Sequence, residues 1–405
     1  MDDRPRPRLR RRLGLPLLTL YGTGVAIGAG IYVLVGAVAG HAGRFAPLAF
    51  LMAAIVMGLT VASYSELCTR FPVAAGEAAY VKAAFRSRIL STATGLAMIM
   101  TAIVASATVA LGASGYIAQF VDWPRPLVAS VILVMLGAIS AWGVLESVLL
   151  ASVFTLIEVG GLVVIVAAAF YWGLPVVDTL TAMPPFELPV WSGIAYASLL
   201  AFFAFIGFED LTNMVEEAKD PTRTIPRAIA LTLVITTLLY VVVAAVAVAA
   251  LPPQELAASE APLSIVFRRL AGVSPTTISL IAIVATLNTV LAEMTMASRV
   301  VYGMANLGDL PGIAGRVNPA TSTPIFATGL IVAITVMLVT FVPFERLAEL
   351  TSVTTLAVFA LVNLSLLRLR RRGVVTEGSH VRVPLWVPAL GFLFCVGMVA
   401  AALLG

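Results

Sequence analysis

Two clusters and two lone acids carry the chemistry of this sequence. Residues 22–36 read GTGVAIGAGIYVLVG and place five glycines inside one apolar run. Glycine lowers helix stability and leaves backbone N–H and C=O groups free to bind a ligand. The second cluster, Ile206-Gly207-Phe208-Glu209-Asp210, sets a glycine before two acids inside another apolar run. Glu158 and Glu293 each stand alone in apolar surroundings. A carboxylate at membrane depth costs roughly 2.5–3.5 kcal/mol on insertion scales, so such residues face a protein interior or a water-filled cavity. The chemistry on offer is binding by main chain, together with carboxyls able to hold a proton or meet a cation.

The elements that position these groups are membrane helices. The chain is 60% hydrophobic and 11% charged, with a mean hydropathy of +1.03; a soluble chain has about 25% charged residues. A membrane helix needs about 20 apolar residues. Candidate spans are 15–39, 46–69, 89–119, 126–144, 147–172, 191–217, 227–251, 274–305, 324–342, 346–367 and 384–404, eleven in all. The third and eighth exceed the bilayer and are expected to tilt or project. With a cytoplasmic N-terminus, 20 of the 25 basic residues fall on the cytoplasmic side, leaving Arg44, Arg125, Arg268, Arg269 and Arg346 outside. That asymmetry satisfies the positive-inside rule and places the C-terminus outside. The basic tail, residues 1–14, reads as a positive-inside anchor, and the apolar run behind it is too long for a signal-peptide core. The segment 252–273 holds an amphipathic stretch (Leu263, Val266, Phe267, Leu270) that either crosses an outer mouth as a short helix or forms a surface loop.

Breaks are expected at Ala26–Gly30 in the first span and Phe205–Phe208 in the sixth. A separation of five spans inverts topology, which is the pattern of two inverted five-helix repeats with interrupted first helices. The fold expected is therefore an all-α polytopic membrane protein. It divides into a first repeat at 15–172, a second at 191–367 and an extra helix at 384–404. Cys68 and Cys395 read as packing residues, and His41 and His380 lie far apart, so neither a disulfide framework nor a metal site is expected.

Four motifs in order resemble the amino acid–polyamine–organocation superfamily. Gly28-Ala29-Gly30-Ile31-Tyr32 is similar to its first-helix G-x-G-I-F/Y stretch. Tyr64-Ser65-Glu66-Leu67 through Phe71-Pro72-Val73 to Gly76-Glu77-Ala78-Ala79-Tyr80 resembles the loop after its second helix. Phe205-Ile206-Gly207-Phe208-Glu209 and the run Glu217 to Pro226 match its sixth helix and following loop. Arg299 and Asn306-Leu307-Gly308-Asp309-Leu310-Pro311 resemble the motif after its eighth helix, with the acid and glycine reordered. The resemblance implies alternating access by a secondary transporter of amino acids in the cell membrane. It implies that a substrate carboxylate rests on the N–H groups of Gly28, Ala29, Gly30 and Ile31. The ammonium then rests on the carbonyls of Ala26 and Ile27 with those of Phe205 and Ile206. Helix-terminus physics agrees, since half-helix N-termini suit anions and C-termini suit cations.

The same resemblance gives Glu209 a gating or proton-linked role, against a structural hydrogen-bond role. Asp210 is roughly 100° around the helix from it, so only one need face the pathway. Glu158 stands where several proton-coupled relatives carry lysine; it either carries a proton, helps bind a cation or is structural. Glu293 falls near the pocket wall and favours a basic amino acid or polyamine. Phe203 is the expected gate among Phe202, Phe203, Phe205 and Phe208. Ser106 and Thr108 are candidate pocket hydroxyls, and Thr295 and Ser298 are the hydroxyls available to sodium. A co-transported proton, or exchange without an ion, is preferred to sodium.

Other classes fit less well. No HExxH, GxSxG or P-loop motif is present, so neither an enzyme nor a self-powered pump is expected, and no cofactor or nucleic-acid partner is implied. Alternatives on the same fold are a polyamine or other organic-amine transporter and a non-transporting amino acid sensor.

Overall fold

The computed structural model describes residues 13–72, 76–142, 148–213, 215, 218–271, 276–306, 309–316, 318, 324–374 and 381–404. The arginines at 4–12, Val73, Glu217, Leu307, Gly308 and His380 lie outside the described residues, as do the side chains of Ala29 and Arg299.

The described residues form helices α1 (Leu15–Ala42), α2 (Ala46–Arg70), α3 (Gly76–Phe85), α4 (Arg88–Ile117), α5 (Arg125–Trp142), α6 (Val148–Tyr171), α7 (Val176–Thr181) and α8 (Leu188–Phe203). They continue with α9 (Asp210–Asn213), α10 (Pro221–Ala250), α11 (Pro253–Ala258), α12 (Pro262–Ala271), α13 (Thr276–Asn306), α14 (Ile325–Phe341), α15 (Phe344–Arg371) and α16 (Trp386–Leu404). The only strand-like pairing among them is a single bridge between Leu13 and Ala218.

Among the described residues, six stretches are long and apolar enough to cross a membrane: 30–70, 88–117, 152–171, 221–250, 276–298 and 344–371. Shorter apolar helices occupy 15–28, 125–141, 188–203, 325–341 and 386–402. Large apolar side chains such as Leu156 and Val163 on α6, Val234 and Leu238 on α10 and Leu393 on α16 point outward. An apolar exterior of this extent suits lipid rather than water. The chain is a polytopic helical membrane protein.

α4 and α13 have 30 and 31 residues, about 45 Å of helix at 1.5 Å per residue, and they pack against each other along their length. The amphipathic stretch at 263–270 is helical: it forms most of α12, with Leu263, Val266 and Leu270 turned into the core. The short helices α3 and α7 escaped the hydropathy pattern because neither is a long apolar run.

α1 corrects one expectation. It is helical without interruption from Leu15 to Ala42, so the break expected at Ala26–Gly30 is not there. Each glycine costs a helix only about 1 kcal/mol relative to alanine, and packing offsets that. A methyl group on Gly30 would lie 2.6 Å from Ala204 Cα, and one on Gly28 would lie 2.8 Å from the Ala285 carbonyl oxygen. At Gly28 and Gly30 neighbouring backbones approach α1 too closely for a side chain.

The second interruption is present. α8 stops at Phe203, residues 204–209 are turns, and α9 begins at Asp210. Gly207 has φ +115°, a conformation that L side chains rarely adopt.

Candidate functional site

The turn between α8 and α9 is built from its own sequence. Ala204, Phe205 and Ile206 donate to the carbonyls three residues back, at 3.0–3.1 Å, which tightens the end of α8. Gly207 then reverses the chain. Its N–H donates to Glu209 Oε2 at 2.9 Å, and Thr212 Oγ1 donates to the Glu209 carbonyl at 2.7 Å. The acid thus satisfies a backbone donor that the break exposes.

This turn lies against the middle of α1. The Gly30–Ala204 approach makes one contact, and a methyl on Gly207 would fall 2.6 Å from Val25 Cγ1. Ala26, Ile27, Ile31, Phe203, Phe205, Ile206, Phe208, Glu209 and Asp210 are all buried here. Thus the expected site residues of α1 and of the α8–α9 turn come together, although only one of the two helices is interrupted.

Three of the four phenylalanines are held by other rings. Phe202 meets Phe359 at 6.0 Å, Phe205 meets Tyr240 at 5.0 Å, and Phe208 meets Tyr64 at 5.2 Å and Phe359 at 5.4 Å. Phe203 has no ring partner among the described residues.

The acids divide into two groups. Glu293, half-buried on α13, lies within electrostatic reach of Glu209. Glu209 in turn feels Asp210 and Glu77. Glu77, on the short helix α3, accepts a 2.9 Å hydrogen bond from the Tyr64 hydroxyl. Burial pushes the Glu77 carboxyl above the usual carboxylate range, opposed by its backbone and Tyr64 hydrogen bonds. Glu158 stands apart on α6. It is fully buried, and neither carboxyl oxygen has a hydrogen-bond partner among the described residues.

The candidate hydroxyls have partners of their own. Thr295 pairs with Ser140 on α5 at 3.0 Å, and Ser298 with Thr328 on α14 at 3.2 Å. Neither pairing turns toward α1. Ser106 and Thr108 donate to the Ala102 and Val104 carbonyls of their own helix, α4. Among the described residues no group of three His, Cys, Asp or Glu side chains is arranged to hold a metal. A cavity of about 560 Å³, lined by Gln119, Glu260, Ser264 and Arg268 among others, opens where α4 ends and α12 lies. It is separate from the α1–turn crossing, where the buried acids and backbone contacts are.

Two features went unread in the sequence. Tyr240 of α10 donates to both Ala26 and Ala204 carbonyls, at 2.8 and 2.9 Å, bridging the two elements. A tyrosine in an apolar run gives no signal of this. Glu66 is buried in an ion cluster with Arg70 at 2.7 Å and with Arg370, and it also accepts the Val383 N–H at 2.9 Å. Arg370 belongs to the arginine run at the end of α15, which charge counting reads as a solvated face.

Similarity to known proteins agrees with this architecture. The family model for amino acid permeases matches residues 13–405. The chain is 28% identical to the branched-chain amino acid permease BcaP of Bacillus subtilis, over 96% of this chain and 88% of that one. It is 30% identical to the vacuolar cationic amino acid transporter 2 of Arabidopsis thaliana, over 90% of this chain and 60% of that longer one. It is 27% identical to the methylthioribose transporter of Bacillus subtilis, over 94% and 86%. A long set of apolar helices around a helix interruption, together with these matches, places the chain in the amino acid permease family of the amino acid–polyamine–organocation superfamily.

Proposed function

We propose that the chain is a secondary active permease that moves amino acids across the cell membrane by alternating access. The observation that carries this reading is the contact of the Gly28–Gly30 stretch of α1 with the interrupted α8–α9 segment, beside buried carboxyls. In this reading eleven helices cross the membrane as two inverted five-helix repeats and one extra C-terminal helix. The N-terminus is cytoplasmic and the C-terminus outside.

The described conformation is then a closed one. The N–H groups of Gly28 to Ile31 lie inside a continuous helix, where helical bonds engage them. Substrate carboxylate binding opens α1 between Ala26 and Gly30, where two glycines make opening cheapest. The ammonium takes the Ala26, Ile27, Phe205 and Ile206 carbonyls. Phe203, which has no ring partner among the described residues, is the aromatic gate, and Glu209 and Asp210 link gating to a proton. Glu158 is the further coupling acid.

A second reading concerns the side chain of the substrate. Glu293 lies within electrostatic reach of Glu209, and two acids on that side of the site favour a basic amino acid or an organic amine. The name of the Arabidopsis relative is in keeping with that choice. The test is uptake of labelled leucine, arginine, ornithine, putrescine and methylthioribose into proteoliposomes under imposed proton or sodium gradients. Proton-driven uptake or exchange of amino acids is expected, with arginine lost in Glu293→Gln. Transport of methylthioribose alone overturns the amino acid reading. Binding without counterflow makes the chain a sensor.

A further inference from the structure

Tyr240 belongs to α10, outside the elements assigned to substrate, yet its hydroxyl is at their meeting point. It donates to Ala26 O at 2.8 Å and to Ala204 O at 2.9 Å. Its buried ring is held between Phe50 at 5.7 Å and Phe205 at 5.0 Å. A phenol supplies one proton to two acceptors, whereas an ammonium supplies a donor to each. The phenol is thus a weaker version of the group that the substrate brings to the Ala26 carbonyl, the acceptor that the two share.

The second observation is the Glu158 carboxyl. A buried polar group without a partner is costly, and such orphans are rare in folded proteins. The backbone carbonyl of Glu158 already accepts the Tyr32 hydroxyl at 2.7 Å. Among the described residues, Tyr32 of α1 and Tyr240 of α10 lie within electrostatic reach of its side chain. From α13, Glu293 lies within electrostatic reach of Glu209, and Arg268 and Arg269 of α12 are exposed at its surface.

We infer that Tyr240 is a positioning residue whose hydroxyl, anchored on the Ala204 carbonyl, holds the Ala26 carbonyl in place of the substrate's amine and passes to the Glu158 carboxyl when the amine binds. This rests on the amine-transport reading above. No covalent bond changes. The ammonium takes over the Ala26 acceptor, and the displaced O–H gains the Glu158 carboxyl, which has no hydrogen-bond partner among the described residues.

The test is a double-mutant cycle on binding of labelled leucine and labelled arginine to the purified full-length protein. Tyr240→Phe removes the placeholder and tightens binding about threefold to tenfold, the worth of one hydrogen bond. Glu158→Leu removes the destination of the phenol and weakens binding by a similar factor. The double variant binds as tightly as Tyr240→Phe alone, because without the phenol no acceptor is needed. Glu158→Gln keeps an acceptor oxygen and weakens binding less than Glu158→Leu does. A Glu158→Leu penalty that persists in the Tyr240→Phe background overturns the hand-off, as does weaker binding by Tyr240→Phe when its melting temperature shows it folded. Wild type that binds neither amino acid overturns the transport reading itself, and this inference with it.

Discussion

The middle of α1 and the turn after α8 are both glycine-bearing, both apolar and in contact, yet one remains helical and the other does not. The glycines of α1 lie against neighbouring backbones and keep helical geometry. Gly207 takes φ +115° and gives its N–H to the carboxylate two residues later. Glycine content therefore does not open a membrane helix. What opens it is a glycine in a conformation closed to other residues, with a nearby side chain that satisfies the released donor.

The largest effect is expected at the contact between the two regions. Gly30→Val drives a branched side chain into the Ala204 backbone, which has no rotamer to yield. Amino acid uptake falls more than about tenfold, in line with overpacking costs of about 1–3 kcal/mol or more. Gly160→Ala, on α6 with nothing near its added methyl, is the control and leaves uptake and melting temperature unchanged or slightly raised. Equal losses in both would mean that the α1 glycines are ordinary helix residues.

Next comes the turn itself. Gly207→Ala forces an L side chain to φ +115° and against Val25. A cost of about 1–3 kcal/mol follows from the backbone strain alone, read as a lower melting temperature in detergent. Glu209→Ala orphans the Gly207 N–H and costs about 1–3 kcal/mol, whereas Glu209→Gln keeps an acceptor oxygen and most of the stability. If both Glu209 variants are equally stable, the carboxylate does not hold the turn.

How much of this was legible in the sequence differs between the two regions. The α8–α9 interruption was readable, because a glycine followed by two acids is costly inside an unbroken apolar helix. The unbroken state of α1 was not. Whether glycine marks an opening or a close contact depends on what lies opposite, here Ala204 and Ala285, far away in sequence. That Glu293 lies within electrostatic reach of Glu209 was not read from the sequence, because it depends on how α13 packs against the turn. Thr295 and Ser298 did not turn toward α1, because helix rotation is set by packing against α5 and α14. Tyr240 and Arg370 were invisible for the same reason, since each acts through partners on other helices.

The smallest effect is a pH dependence below the turn, where Tyr64 stacks on Phe208 and donates to Glu77. Burial raises the folded-state pKa of Glu77, so its ionisation opposes folding. Stability associated with the neutral form is present below the ordinary value of about 4.3 and is lost as pH rises from there through the folded pKa. Glu77→Gln is accordingly close to wild type at low pH and gains relative melting temperature as pH rises through that window. A difference that does not vary with pH would show that Glu77 does not ionise on unfolding.

The most direct measurement is counterflow of labelled leucine and arginine into proteoliposomes preloaded with the same unlabelled amino acid, for wild type and Gly30→Val side by side. Accumulation by wild type, and its loss in a Gly30→Val variant that still melts cooperatively, is the predicted result. No counterflow by wild type, or wild-type rates from Gly30→Val, would contradict a transport site at the crossing of α1 and the α8–α9 turn.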